Sequence, residues 1–203
     1  MCSSDLDHFI YPEDLFLSAV DQAIQGSTVL GGRPVLLGAK PDSLELDYGW
    51  IKPGRALGRA GKAAIQAVNA FFEKPDETIV RKARAAGSLW NTLVFAAKGQ
   101  ELWRLGWQYL PEMMSRFEQL RAAVDTAEEL RILDAIYETM PRRNFSWDLL
   151  QRAPDRIAVM EMRDVLWSDW GNPDRILSGL ENFGRQPAIA EDPRLYGDRK
   201  SVV

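Results

Sequence analysis

A chain of 203 residues with 46% hydrophobic and 27% charged side chains has the apolar content for one good-sized globular domain, which excludes fibrous and wholly disordered classes. A net charge of −4 argues against a nucleic-acid partner, while one Cys and one His leave neither an internal disulfide nor a zinc ligand set. No apolar run reaches the length of a membrane span and the N-terminus lacks the order of a secretory signal, so the expectation is a cytoplasmic protein without a membrane partner.

Residues 1–6, Met-Cys-Ser-Ser-Asp-Leu, spell what an open frame through a common sequencing adapter encodes, and are expected to be a non-native leader. Glu13 and Asp14 then open a helix whose apolar positions Leu15, Phe16, Ala19, Val20, Ala23 and Ile24 recur at helical spacing, with an end expected before Gly26. Pro34 to Ala39 is a short apolar run without helical length, hence a buried strand. Lys40 to Trp50 reads as a loop. Pro53 to Lys62 invites a phosphate-loop reading, but Ala56 and Ala63 occupy positions where that pattern needs Gly and Ser or Thr, so a mobile hairpin connection is expected. The strand at Ala63 to Phe72 runs into Glu73-Lys74-Pro75, where proline stops it. Asp76 N-caps a short helix, Gly87 ends it, and the chain returns to the sheet with Trp90 and Asn91.

Further on, Trp103, Trp107, Leu110, Met114 and Phe117 trace one helical face, bent or divided at Pro111, and are read as core. Thr126 and Glu129 form a capping box for a helix through Leu130, Leu133, Ile136 and Tyr137. Arg142 and Arg143 are read as surface. Ser146 is expected to cap a short helix, Arg156 to Met162 to form a strand, and Asp164 to Gly171 to lead into a helix over Asn172 to Leu180; residues 181–203 read as a polar tail.

At the end of the Ala63–Phe72 strand, Glu73 offers acceptors for neighbouring hydroxyls, while Lys74 is a flexible point charge suited to a phosphate. Phe71-Phe72-Glu73-Lys74-Pro75 followed by Leu89-Trp90-Asn91-Thr92 resembles the sugar-binding half of the sugar-1-phosphate nucleotidylyltransferases, above all the mannose-1-phosphate guanylyltransferases. Asp7-His8-Phe9-Ile10 resembles the end of that family's first metal motif, Asp47-Tyr48-Gly49-Trp50-Ile51 its Gly-Tyr-Gly-(Tyr/Trp)-Ile segment, and Trp167-Ser168-Asp169-Trp170-Gly171 its second metal motif.

The resemblance implies an α/β fold with a Rossmann-like mixed sheet flanked by helices, and residues 7–180 as the sugar-phosphate-binding part of a nucleotidyltransferase domain truncated at its N-terminus. It also implies Mg2+ held by Asp7 and Asp169, and substrate contacts from Gly49, Glu73, Lys74 and Asn91. The implied reaction joins a nucleoside triphosphate, GTP favoured, to a sugar 1-phosphate, mannose 1-phosphate favoured, to give a nucleotide sugar and diphosphate. No protein nucleophile or base is required, which leaves His8 a structural role; a homo-oligomer is compatible. Three departures stand out. Asp47 replaces the first glycine of its motif, Leu93 stands where the guanylyltransferases usually carry glycine, and the family's Gly-rich triphosphate loop occurs nowhere in the 203 residues. The chain alone is therefore expected to be inactive. The alternative is a non-catalytic sugar-phosphate-binding or assembly subunit.

Overall fold

The structure is a computed structural model and describes residues 8–171, 173 and 175–177. In chain order the elements are β1 (His8–Tyr11), α1 (Glu13–Val29), β2 (Val35–Ala39), β3 (Trp50–Ala60), β4 (Ala63–Phe72) and α2 (Glu77–Ala85). They continue with β5 (Leu89–Ala96), α3 (Gly99–Tyr109), α4 (Pro111–Ala123), α5 (Glu129–Thr139), β6 (Ala158–Glu161) and β7 (Leu166–Asp169). The described residues fall into two compact units, residues 13–165 and the residues on either side of them.

In the larger unit, β2 pairs antiparallel with β5 and parallel with β6, β3 pairs antiparallel with β4 and β5, and β4 pairs antiparallel with β6. The mixed sheet expected from the sequence is present, and its five strands close on themselves in the order β2-β5-β3-β4-β6. Closure leaves both β2 edges paired, and all five β2 residues are buried, which explains their uninterrupted apolar sequence. Leu36, Ile51, Ile157 and Val159 are wholly buried; each such side chain contributes about 1.5–3 kcal/mol.

α1 runs past the expected stop. Its buried positions are Ala19, Ala23, Gly26 and Ser27, while Leu15, Leu17 and Ile24 lie exposed. A Cβ on Gly26 would stand 2.5 Å from Ile65 Cδ1 on β4, so this glycine permits close helix–strand approach and does not end the helix. Termination falls to Gly31 and Gly32, both at positive φ.

The expected mobile connection over 53–62 is instead mostly strand. β3 and β4 form one long hairpin whose tight turn is Gly61-Lys62, with Ala60 paired to Ala63. Register shifts near Pro53, Ala56 and Gly58 absorb the residues that made the stretch look irregular, because bulges tolerate proline and glycine.

α2 ends as expected. Asp76 Oδ1 accepts the Ile79 N–H at 2.9 Å. Gly87 at φ 72 closes a Schellman motif in which the N–H groups of Gly87 and Ser88 donate to Arg84 O and Ala83 O.

The aromatic stripe divides at Pro111, and its two halves behave differently. Met114 is buried, but α3 turns Leu105 and Gly106 inward and leaves Trp107 41% exposed, so Trp107 is not core. The capping box slips by one residue: Glu129 reaches back to the Asp125 N–H while Thr126 Oγ1 accepts from Glu128. Tyr137 and Leu130 lie on the exposed side of α5. No described helix is long and apolar enough to cross a membrane.

Close packing at Gly26 sets a test by sign. Gly26→Ala should lower stability by about 1 kcal/mol, because overpacking against Ile65 outweighs the better helix propensity of alanine. In an Ile65→Val background, which lacks Cδ1, the same substitution should become stabilising; thermal unfolding of the four variants measures both.

Candidate sugar-phosphate site

One register builds the site. Trp50 pairs with Phe72 on β4 and with Trp90 on β5, so one step before β3 the chain sets Gly49 level with Glu73 on one side and Asn91 on the other. Side-chain geometry agrees: a Cβ on Gly49 would lie 2.8 Å from Glu73 Oε2, 3.0 Å from Asn91 Cβ and 3.3 Å from Phe71 Cζ. The Asn91 N–H also donates to Gly49 O at 2.7 Å. Three residues singled out in the sequence, Gly49, Glu73 and Asn91, are thus brought together. The missing side chain at Gly49 leaves room first for the Glu73 carboxylate. Beside this row Trp90 meets Tyr48 and Trp50 edge-on, with centroids 5.0 and 6.1 Å away, and the Trp50 indole N–H donates to Glu45 O at 2.8 Å.

Glu73 is half-buried. Loss of water pushes its carboxyl pKa above the ordinary value, while the neighbouring Lys74 ammonium and a hydrogen bond from the Ser146 hydroxyl pull it back. Its backbone N–H donates to Gln151 Oε1 at 2.9 Å. Sequence reasoning missed both supports. Gln151 lies 78 positions away and carries no local signal, and Ser146 looked like a helix cap. The residue that caps that turn is Asn144, whose Oδ1 accepts the Trp147 N–H at 2.9 Å, and this frees the Ser146 hydroxyl to face Glu73.

Lys74 follows at φ 43 with its side chain exposed. Of the four described non-glycine residues with positive φ, two are aspartates, which tolerate that region; the others are Lys74 and Leu93. Both adjoin the row, one directly after Glu73 and one two residues after Asn91. Departures of this kind gather where a binding site dictates the backbone.

Asn91 is 6% exposed, and its Oδ1 accepts the Leu93 N–H at 3.3 Å. Between Asn91 and Phe95, β5 has two more residues than the facing β2. The buried Thr92 hydroxyl stabilises this bulge by donating to Leu37 O at 2.7 Å and accepting from the Val94 N–H. At φ 58 and 49% exposed, Leu93 occupies a backbone conformation suited to glycine, so the departure from the family pattern there is a matter of backbone strain.

The remaining candidates lie in the smaller unit or beyond the described residues. β1 and β7 form an antiparallel ribbon in which His8 faces Asp169, His8 meets Trp167 edge-on at 5.2 Å, and Phe9 stacks on Trp170 at 4.7 Å. Asp169 ends β7; its Oδ1 accepts the Gly171 N–H at 2.8 Å, and Oδ2 lies 3.6 Å from Arg175 Nη1. A carboxylate oriented by a backbone N–H suits a hard cation, although Arg175 stands where that cation would compete. Asp7, its expected partner, lies outside the described residues, as does most of the segment expected to be helical after Gly171. Among the described residues no group of three His, Cys, Asp or Glu side chains gathers in metal-binding geometry.

No family model matches the chain. The mannose-1-phosphate guanylyltransferase of Escherichia coli is 23% identical over 177 residues, a match that covers 81% of this chain and 35% of that protein. The structure of a mannose-1-phosphate geranyltransferase from Thermus thermophilus superposes with a TM-score of 0.71 at 24% identity, over 89% of this chain and 48% of that one. The chain is thus similar in sequence to a mannose-1-phosphate guanylyltransferase and shares its fold with the Thermus structure. A mannose-6-phosphate isomerase from Helicobacter pylori shares the fold with a TM-score of 0.63 at 17% identity, over 80% of this chain and 61% of that one. The chain spans about a third of the E. coli relative and about half of the Thermus structure.

Two outcomes follow from the strain and the buried acid. Leu93→Gly should stabilise the protein by about 1 kcal/mol, seen as a rise in Tm of about 2–4 °C. Because the folded-state pKa of Glu73 is raised, the native state holds its proton more tightly than the unfolded state, and stability falls as pH rises above 4.5 toward the folded-state pKa. Glu73→Gln should flatten that part of the stability–pH curve in urea denaturation and leave the protein no less stable at pH 7.

Proposed function

We propose that this chain binds a sugar 1-phosphate, mannose 1-phosphate in the first instance, as the acceptor part of a nucleotidyl transfer from GTP that yields GDP-mannose and diphosphate. The observation that carries the reading is the row Glu73–Gly49–Asn91. An acidic acceptor and a buried amide flank a backbone stripped of its side chain, which suits vicinal sugar hydroxyls, and Lys74 beside them supplies a point charge for the phosphate. The name of the E. coli protein points the same way, and that of the Thermus protein shares mannose 1-phosphate with it.

In this mechanism a phosphate oxygen of the sugar 1-phosphate attacks the α-phosphorus of the triphosphate in line, a new P–O bond forms, and the bond to the diphosphate breaks. The attacking oxygen is already anionic, so no protein base is needed. Glu73 and Asn91 orient the sugar and Lys74 anchors its phosphate, and the gain is one of positioning. Asp169, with Asp7, would hold Mg2+, whose chemistry when bound is neutralisation and alignment of the phosphates.

The same row Glu73–Gly49–Asn91 also suits a second reading, a non-catalytic sugar-phosphate-binding or assembly subunit. Both readings need the sugar-phosphate site, so calorimetry tests them together. Mannose 1-phosphate should bind, and Lys74→Met should weaken it by about tenfold while leaving any binding of free mannose unchanged; an unchanged Kd for the phosphate would sink the assignment. Diphosphate release separates the two. None is expected from the 203 residues with GTP and mannose 1-phosphate, whereas supplying a triphosphate-binding segment should give turnover that Asp169→Asn abolishes if the enzyme reading holds.

A further inference from the structure

The segment after α5 is a single wide turn, Ser146–Leu150, of π-helical register. Its defining bond runs from the Gln151 N–H to Ser146 O at 2.8 Å, five residues apart. In an α-helix, residues five apart point about 140° away from each other. Here the π bond ties Ser146, whose hydroxyl counters the effect of burial on the Glu73 carboxyl, to Gln151, whose Oε1 accepts the Glu73 backbone N–H.

The turn is braced on both sides. Leu149 and Leu150 are buried in the core of the closed sheet, together with Leu36 and Ile51. Asn144 and Asp148 lock the entry to the turn, Asn144 Oδ1 accepting from the Trp147 N–H and Asp148 Oδ2 from the Asn144 N–H at 2.8 Å.

We infer that the π turn is a buttress for the sugar site, with Ser146 and Gln151 as positioning residues that hold the Glu73 carboxyl over Gly49. The inference rests on the reading of Glu73 as a sugar ligand and adds the residues that make it one. Burial alone drives this carboxyl toward its neutral form, in which it is a poorer acceptor. A hydroxyl donating to one lone pair opposes that drift and leaves further acceptor sites for the sugar. Gln151 fixes the backbone just past the last residue of β4, directly before the left-handed Lys74.

A double-mutant cycle measures the claim. Ser146→Ala should weaken mannose 1-phosphate binding by about tenfold in the wild-type background and by less than twofold in a Glu73→Gln background, because its effect passes through the carboxylate. Ser146→Thr, which keeps the hydroxyl, should restore most of the affinity. Equal losses in both backgrounds would assign Ser146 a merely structural role. The 13C titration of the Glu73 carboxyl provides a readout that needs no ligand: its midpoint should move to higher pH in Ser146→Ala. If the wild-type chain fails to bind mannose 1-phosphate, the function proposed above is wrong, and an unmoved Glu73 midpoint would then overturn the buttress as well. Should Ser146→Ala not fold, the half-buried Gln151→Ala carries the same cycle through the backbone contact.

Discussion

Everything at the site depends on Trp50 being hydrogen-bonded in register on both of its edges. With Phe72 on one side and Trp90 on the other, the backbone has no freedom to slide, and a slip of one residue would turn Gly49 away from Glu73 and Asn91. Closure of the five strands makes that slip costlier still, since β4 and β5 are also tied to β6 and β2. The aromatic cluster of Tyr48, Trp50 and Trp90 packs against the same register and excludes water from its ladder.

Against this rigid frame, the site concentrates the unfavourable features of the chain. A carboxylate sits where burial disfavours its charge, and two non-glycine residues adopt left-handed backbone within three positions of the row. Each is destabilising by itself, and neighbours offset each: Ser146 and Lys74 for the charge, Gln151 for the strand end, Thr92 for the bulge. Strain gathered in one place and compensated by neighbouring residues is the kind of departure that binding sites retain.

The helical insertion between β5 and β6 takes on meaning in the same terms. It supplies Leu105, Leu149 and Leu150 to the sheet core, and its last turn delivers Ser146 and Gln151 to Glu73. The insertion is therefore structurally continuous with the row Glu73–Gly49–Asn91, and substitutions in it can act on that row from a distance.

Local chemistry was legible in the sequence wherever cause and effect lie within a few residues. Asp76 and Gly87 bound α2 because a cap acts over three positions, β2 is a buried strand because its five residues are all apolar, and the motif around Glu73 and Asn91 marked the site by residue type. The tertiary structure alone decided why Gly26 is glycine, that residues 53–62 are largely strand, that Trp107 faces solvent, and that Ser146 serves Glu73 instead of a helix end. Those outcomes turn on which surface lies opposite, and the partners, Ile65 for Gly26 and residue 73 for residues 146 and 151, come from distant parts of the chain. Periodicity records which residues share a face; only packing determines what that face meets.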